Sequence, residues 1–305
     1  MPVQKDNRDS MQIKTIGIVS PGDMGQAVAI RLKECGFEVL AALEGRSART
    51  KSLAQQAGLE DCKSLHNLAA RCDLILSIID PGAALDTARA AAAAFATIKK
   101  PDKPTYADCN ALSPQTKLEM ELMFQAAGAS FIDVGIIGPP PRGSGNVRLY
   151  ASGPEANVLD AIRHEKLVLR IVSNRVGDAA AVKMCYGAVT KGMIALGTEL
   201  MVAAQRLSVA DALDAELQES QGAIRDWLLN SIPSMPPKAY RWVPETREIA
   251  ATFEHTGLTP RMMLGAAGMY EFIAATPLGK ESPEAARAEK RTGKAVVSAL
   301  ANSGR

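Results

Sequence analysis

The stretch Ile16-Gly17-Ile18-Val19-Ser20-Pro21-Gly22-Asp23-Met24-Gly25 decides the reading of the fold. Its apolar start reads as a strand, Ser20 to Gly25 as a tight turn, and the helical spacing of apolar residues from Ala27 to Leu32 as the helix that follows. In a nucleotide-binding βαβ unit this turn must let the backbone approach a pyrophosphate and present helix N-terminal N–H groups to it, which glycine permits sterically. Gly22 and Gly25 hold the second and third glycine positions of G-x-G-x-x-G, and Ser20 holds the first. Alone, the broken motif is no better than an ordinary tight turn. Its context adds the strand before it, the helix after it, and Glu44 about 20 residues on, where a ribose contact belongs. Dinucleotide binding is therefore expected through Ser20, Pro21, Gly22, Asp23, Met24, Gly25 and Glu44, with Ile79 and Asp80 at the end of a later strand.

The residues after the second apolar run, Leu43-Glu44-Gly45-Arg46-Ser47-Ala48-Arg49-Thr50, bear on the choice of cofactor. A 2′-phosphate needs cations and hydroxyl donors where NAD proteins place a carboxylate, and Arg46, Ser47 and Arg49 offer them. They favour NADP, with Glu44 as the argument for NAD. The plainer alternative is a solvated helix start with Ser47 as its N-cap.

Working outward, strands are expected at Phe37 to Leu43, Leu74 to Ile79, Thr105 to Ala107, Ser130 to Ile137, Val147 to Ala151 and Leu167 to Val172. Helix-like stretches such as Ala48 to Ala57 and Ala83 to Ala94 separate the early ones. Strands alternating with helices imply a parallel sheet with right-handed crossovers. From about Gly177 strand-like runs disappear, and Ala179 to Arg206 carries an apolar stripe at Val182, Cys185, Val189, Met193 and Leu196. The expected organisation is an α/β domain over 1–176 and an all-helical domain over 177–305.

Composition narrows the function. The chain has 305 residues, 35 Lys plus Arg against 33 Asp plus Glu, 47% hydrophobic residues and only 4% aromatics. A near-neutral balance without a basic block argues against a dedicated nucleic-acid binder, because phosphate contacts need clustered cations and base stacking needs aromatic platforms. A small-molecule substrate is the expected partner. Five cysteines without C-x-x-C spacing suggest neither a disulfide framework nor a zinc site, and His66, His164 and His255 lie in no ligand-spaced motif, so no metal is expected. A reducing cytoplasm fits the thiols. No apolar run reaches the roughly 18 to 20 residues that cross a bilayer. The N-terminus is polar rather than signal-like, with the first dozen residues read as a tail and Met11 as a second candidate start.

The helix after Gly177 carries the candidate chemistry. Lys183 recurs with Gly187, Thr190 and Lys191 as a polar strip on an otherwise apolar helix. A lysine near a helix N-terminus, with Lys191 nearby in a closed cleft, has its ammonium form disfavoured and can relay a proton near neutral pH. The alternative is two solvated lysines on an exposed face.

Gly22-Asp23-Met24-Gly25, Asp108-Cys109-Asn110-Ala111-Leu112-Ser113-Pro114, Asp133 to Gly138, and Gly177 to Lys183 together resemble the four ordered motifs of the β-hydroxyacid dehydrogenases. That family includes 3-hydroxyisobutyrate, tartronate semialdehyde, threonate and 6-phosphogluconate dehydrogenases. The resemblance covers most of the chain, and its second half is similar to the phosphogluconate-dehydrogenase-like branch. It implies a Rossmann-type, mostly parallel sheet domain, a long helix leading into an all-α domain, substrate bound between them, and a homodimer formed through the helices. It also implies that Lys183 takes the proton of the substrate hydroxyl while hydride leaves the same carbon for the nicotinamide, and returns it in reverse.

Departures from the family pattern bear on the substrate. Tyr186 and Gly187 stand where the family usually has Asn, so one amide becomes a phenol that either donates to substrate or packs in the core, and the other is gone. Asn110 replaces a substrate-binding serine and is the second catalytic and substrate-binding candidate, or else a turn residue before the helix start at Ser113-Pro114. The third motif reads Ile137-Gly138-Pro139, in which Gly138 keeps a backbone approach and Pro139 lacks an N–H. Arg142 beyond it either clamps an anion or is solvated. A later lysine expected near Pro244 to Arg247 is absent, with Lys238, Arg241 or Arg247 as electrostatic substitutes. Trp242 and Tyr240 either line a substrate pocket or pack in the core, and Cys185 reads as a small core residue. These features favour an NADP-dependent oxidoreductase acting on a hydroxyl or carbonyl carbon. An imine reductase on the same scaffold and a non-catalytic dinucleotide sensor remain the alternatives.

Overall fold

The computed structural model describes residues 13–99 and 103–303, so the N-terminal tail and Met11 lie outside the described residues. The chain divides into two units. One holds the residues up to Ile79 with Ala84–Asn110 and Leu118–Ala179; the other holds Asp80–Ala83, Ala111–Lys117 and the chain from Ala180 onward.

The first half of the chain runs β1 (Thr15–Ile18), α1 (Asp23–Glu34), β2 (Glu38–Ala41), α2 (Ala48–Gln56), β3 (Glu60–Asp61), α3 (Leu65–Arg71), β4 (Leu74–Ser77), α4 (Pro81–Thr97), β5 (Thr105–Asp108), α5 (Pro114–Ala126), β6 (Phe131–Ile137), β7 (Val147–Ser152) and β8 (Leu167–Ser173). The strands form one eight-stranded sheet in the order β3-β2-β1-β4-β5-β6-β7-β8. All neighbours are parallel except β6 and β7. The mostly parallel Rossmann-type sheet expected from the alternating pattern is therefore present.

β4 and β5 are buried along their whole length, as strands of a parallel sheet covered on both faces must be. Under one face Tyr106 stacks on Phe124 at 4.2 Å between ring centroids, with Phe95 edge-on to both. Because β1 lies between β2 and β4, the chain winds outward to β3 and then crosses back. The carboxyl ends of β1 and β4 thus flank the point where strand order reverses, the place where open α/β sheets bind ligands.

The helices that follow are α6 (Asp178–Arg206), α7 (Ala210–Ser220), α8 (Gly222–Ser231), α9 (Ala239–His255), α10 (Arg261–Ala275), α11 (Pro283–Ala288) and α12 (Gly293–Asn302). The Pro-rich break at 232–237 becomes two short 3-10 turns between α8 and α9. Met184, Ile194, Ile249, Met263, Tyr270 and Ile273 belong to the apolar core of this unit. Among the described residues no helix is long and apolar enough to cross a membrane.

The start of α6 is fixed by side chains of the sheet. Asp133 on β6 accepts hydrogen bonds from the Gly177 N–H (3.1 Å) and the Ser152 hydroxyl (3.1 Å), and Ser152 accepts from the Ala179 N–H (2.9 Å). Two of the helix's otherwise orphaned N-terminal donors are satisfied in this way.

Candidate functional site

Within the sheet unit, the turn from Ser20 to Gly25 leads from the carboxyl end of β1 into α1. Gly25 lies against β1: a Cβ there would touch Ile18 at 3.4 Å. At Gly22 a Cβ would meet no atom within 4 Å, so that side of the turn is open. No side chain caps α1. An uncapped helix N-terminus beside an open glycine is what a pyrophosphate needs, so the turn fits a nicotinamide dinucleotide despite Ser20.

Two arginines meet at this turn. Arg142, from the loop between β6 and β7, donates through Nη2 to the Asp23 carbonyl (3.1 Å), Asp23 Oδ1 (3.3 Å) and Gln26 Oε1 (2.7 Å). Arg49 on α2 lies 3.6 Å from the same Asp23 carboxylate. Arg142 is therefore an exposed loop residue that is also tied to the turn. Ser47 accepts the Thr50 N–H at 3.2 Å and so caps α2, while Arg46 Nε is buried without a hydrogen-bond partner. Glu44 is exposed.

Asn110 is a tie between strand ends. Its Nδ2 donates to Asp108 Oδ2 (2.7 Å) and Ser77 Oγ (3.0 Å), and its Oδ1 accepts the Ile79 N–H (2.7 Å). Both amide donors are thereby spent, leaving one lone pair on Oδ1 for a ligand. Gly138 and Pro139 sit exposed at the end of β6, where Gly138 has φ +123° and a Cβ would come 3.1 Å from the Asn146 carbonyl. The turn itself demands that glycine. Asp80 stands just before α4 and accepts the Gly82 N–H.

Within the helical unit, the polar strip of α6 is buried. Lys183 and Lys191 both point at one carboxylate, Glu245 on α9, with Nζ to Oε1 distances of 3.6 Å and 2.8 Å. The three side chains are only 15%, 10% and 10% exposed. Lys191 Nζ also lies 5.1 Å from the centroid of Trp242, whose ring meets Tyr270 edge-on, and the Tyr270 hydroxyl donates to the Lys191 carbonyl at 2.6 Å. Gly187 lies beside this group: a Cβ there would press on Ile249 Cδ1 at 3.0 Å, with Glu245 Oε1 at 3.9 Å.

Burial pushes the Lys183 ammonium below the ordinary lysine range; Glu245 opposes that and Lys191 adds to it. Burial alone would raise Glu245, but Lys191, Lys183 and Arg241 outweigh it and hold the carboxyl low. Lys191 is the close partner of the carboxylate and Lys183 the loose one.

The same α9 holds the Ser113-Pro114 turn. Glu248 accepts the Ser113 N–H and the Thr116 hydroxyl (2.6 and 2.9 Å), so the second sequence motif continues past Asn110 into the helical unit.

The model of the NAD binding domain of 6-phosphogluconate dehydrogenase matches residues 15–186, more than half of the chain, and a domain of unknown function, DUF1932, matches 204–273. The chain belongs to the β-hydroxyacid dehydrogenase family. It is 28% identical over 207 residues, 68% of this chain and 77% of the relative, to an uncharacterised 28.5 kDa protein of Methanothermus fervidus. Among solved structures it is similar to the conserved protein MTH1747, of unknown function and described as structurally similar to 3-hydroxyacid dehydrogenases. That match has 27% identity, a TM-score of 0.62, and coverage of 85% of this chain and 96% of the other. The fold is also that of 3-hydroxyisobutyrate dehydrogenase from Mycobacterium tuberculosis, at 17% identity and TM-score 0.66, covering 92% and 99%.

In this β-hydroxyacid dehydrogenase family member the departures read from the sequence have a joint explanation. The two positions at which the sequence departs lie together: Gly187 on α6 faces Ile249 and Glu245 on α9, and Glu245 falls within the stretch Pro244 to Arg247. The sequence pattern points to a cation there, whereas the structure places the Glu245 carboxylate beside the lysines. The only hint was the pair of lysines eight positions apart, whose burial on one helix face requires a counter-charge. Of the proposed substitutes, Arg247 pairs with Glu271 in an exposed position at 2.5 Å, and Arg241, also exposed, acts on Glu245 only electrostatically. Tyr186 is 45% exposed, which excludes its core alternative, and Cys185 is exposed rather than a core residue. Trp242 is half-buried against Lys191, while Tyr240 is exposed. No disulfide joins any of the five cysteines, and no metal-binding cluster occurs among the described residues.

Proposed function

We propose that this chain is an NADP-dependent oxidoreductase acting on the hydroxyl or carbonyl carbon of a small hydroxyacid-like molecule, with Lys183 as the group that moves the proton. The observation that carries this reading is the buried Lys183–Glu245–Lys191 group on α6 and α9. The glycine turn from Ser20 to Gly25 would hold a dinucleotide, whose nicotinamide would supply the hydride chemistry when bound. Lys183 in its neutral form accepts the proton of the substrate O–H as that bond breaks, and in its charged form gives the proton back to the carbonyl oxygen. Lys191 stays on Glu245, and Tyr186 and Trp242 supply a phenol and an indole to the substrate. Asn110, through its free Oδ1 lone pair, accepts from a substrate hydroxyl. Arg46, with an unpartnered Nε, and its neighbours Ser47 and Arg49 support NADP over NAD.

Two further readings go with this one. The exposed Val189 and Leu196 of α6, at 58% and 62%, support a homodimer through the helices. Five cysteines without a disulfide between them support a reducing cytoplasm.

The test begins with thermal unfolding in NADP, NAD or neither. A ligand specific to the folded state stabilises it by about 2.7 kcal/mol at a hundredfold excess over its dissociation constant. A larger shift with NADP is expected, followed by turnover of a hydroxyacid panel that Lys183→Ala abolishes without losing the cofactor shift. Cofactor binding with no turnover of any panel member, and no difference between variant and parent, would remove the enzyme reading in favour of a dinucleotide sensor.

A further inference from the structure

We propose that Glu245 and Lys191 are positioning residues that act on Lys183 in opposite directions, the carboxylate holding a proton on its amine and the neighbouring ammonium driving it off. The inference deepens the reading of Lys183 as the proton-moving group of the site and rests on it.

Both amines address the same oxygen, Glu245 Oε1, so each competes for a single charge. At 2.8 Å against 3.6 Å, Lys191 has the better of it. Two devices keep Lys191 in place: its Nζ lies over the face of Trp242, and its carbonyl accepts the Tyr270 hydroxyl from α10. Gly187 keeps the space between the two lysines free of a side chain, so α9 can approach with Ile249 and Glu245.

The charges that act on Lys183 are Glu245 and Lys191, and those that act on Glu245 are the two lysines and Arg241; Tyr270 on α10 in turn feels Glu245. With Lys183 neutral, Lys191 and Glu245 cancel. With Lys183 protonated, the three groups carry one surplus positive charge. One proton therefore enters and leaves a buried site whose remaining charge is balanced in either state, and burial keeps solvent from screening the couplings.

The experiment is a titration of Lys183 in the full-length protein labelled with 13C at lysine Cε, followed by NMR, with the Lys183 signal assigned by its absence from Lys183→Met. Glu245→Gln is expected to move the Lys183 midpoint down by about one pH unit and Lys191→Met to move it up by about as much, with the double variant near the parent. Glu245→Asp, which keeps the charge, is expected to restore most of the midpoint. Shifts of the same sign in both single variants, or a midpoint unmoved in both, would overturn the proposal. If Glu245→Gln does not fold, the sign of the Lys191→Met shift decides alone, since a downward or absent shift contradicts the role given to Lys191. The readout is charge and not turnover. Opposite shifts in a protein that oxidises no hydroxyacid would uphold the pair and remove the dehydrogenase reading; parallel shifts in an active enzyme would do the reverse.

Discussion

Replacing Lys183 by methionine tests the buried amine through the stability of the folded chain. Methionine keeps an unbranched side chain of similar length, and Glu245 is not left unpaired because Lys191 remains 2.8 Å away. Lys183 sits below its ordinary value of 10.5, first because of burial and then because of Lys191, with Glu245 pulling the other way. A folded value below the unfolded one means that the unfolded chain binds the proton more tightly. Below the folded value the parent protein carries the whole penalty. As pH rises from there toward 10.5 the penalty disappears, and the parent gains stability with a slope of at most about 1.4 kcal/mol per pH unit for one proton. The variant has no such proton. It is expected to be more stable than the parent by about 1 kcal/mol near neutral pH, as when a buried charge gives way to a packed apolar side chain, and to lose that advantage as the solution becomes alkaline. The assay is urea unfolding of both proteins in parallel from about pH 6 to pH 10, taking the difference at each pH. That difference cancels Cys62 and Cys72, whose thiols burial pushes up, Cys62 to about 11, and which work in the opposite direction over the alkaline range. A difference that stays level with pH, or a variant less stable by several kcal/mol throughout, would refute the reasoning. Turnover is expected to vanish in the same variant, so stability would be gained where function is lost.

Other parts of the structure make sharper structural predictions. Asp133→Ala leaves the Ser152 hydroxyl and the Gly177 N–H without their acceptor at the start of α6. It is expected to cost about 3 kcal/mol in urea unfolding, with Asp133→Asn costing less because an amide oxygen still accepts. Gly138→Ala puts a Cβ on a residue at φ +123° and 3.1 Å from the Asn146 carbonyl; a loss of about 1 to 3 kcal/mol is expected by thermal unfolding. Leu196→Asp is expected to shift the mass seen by light scattering from two chains to one without lowering the thermal midpoint of a dilute sample, since Leu196 is exposed in the single chain. An unchanged mass would remove the dimer reading.

The sheet is legible from the sequence wherever burial on both faces forces continuous apolar runs, as in β4 and β5. β3 escapes that reading because it consists of Glu60 and Asp61, two charged residues at the sheet edge that pair with Leu40 and Ala41 through their backbones alone. The seven residues of α3 escape because a helix so short shows no stripe, although Ser64 caps it in the ordinary way. The glycine turn is legible because its requirement is local. The state of Asn110 is not, because three of its bonds reach 31 to 33 residues back, to Ser77 and Ile79, or two residues back, to Asp108, and only the folded sheet brings those strand ends together.

The helix α6 shows where periodicity stops informing. Its apolar residues suggest the covered face, which would leave the lysines on the wet one as the alternative reading has it, yet Lys183, Gly187 and Lys191 lie inward while Cys185, Val189 and Leu196 are exposed. Periodicity reports which residues share a face, and it assigns that face to the interior only if nothing else compensates the polar one. Here the compensation comes from Glu245, more than fifty positions along the chain, placed by the register of α9 against α6. Without that carboxylate the buried amines would be pushed toward their neutral form, and without the pair the carboxylate would be pushed toward its protonated one. Each is therefore the condition for the other's charged form, and the inward lysines and the glycine between them are three parts of one arrangement. An outward apolar face then needs a cover of its own, which the proposed second copy of the chain would provide. Loss of Glu245 should consequently disturb more than one ion pair, because it takes the counter-charge from both amines at once.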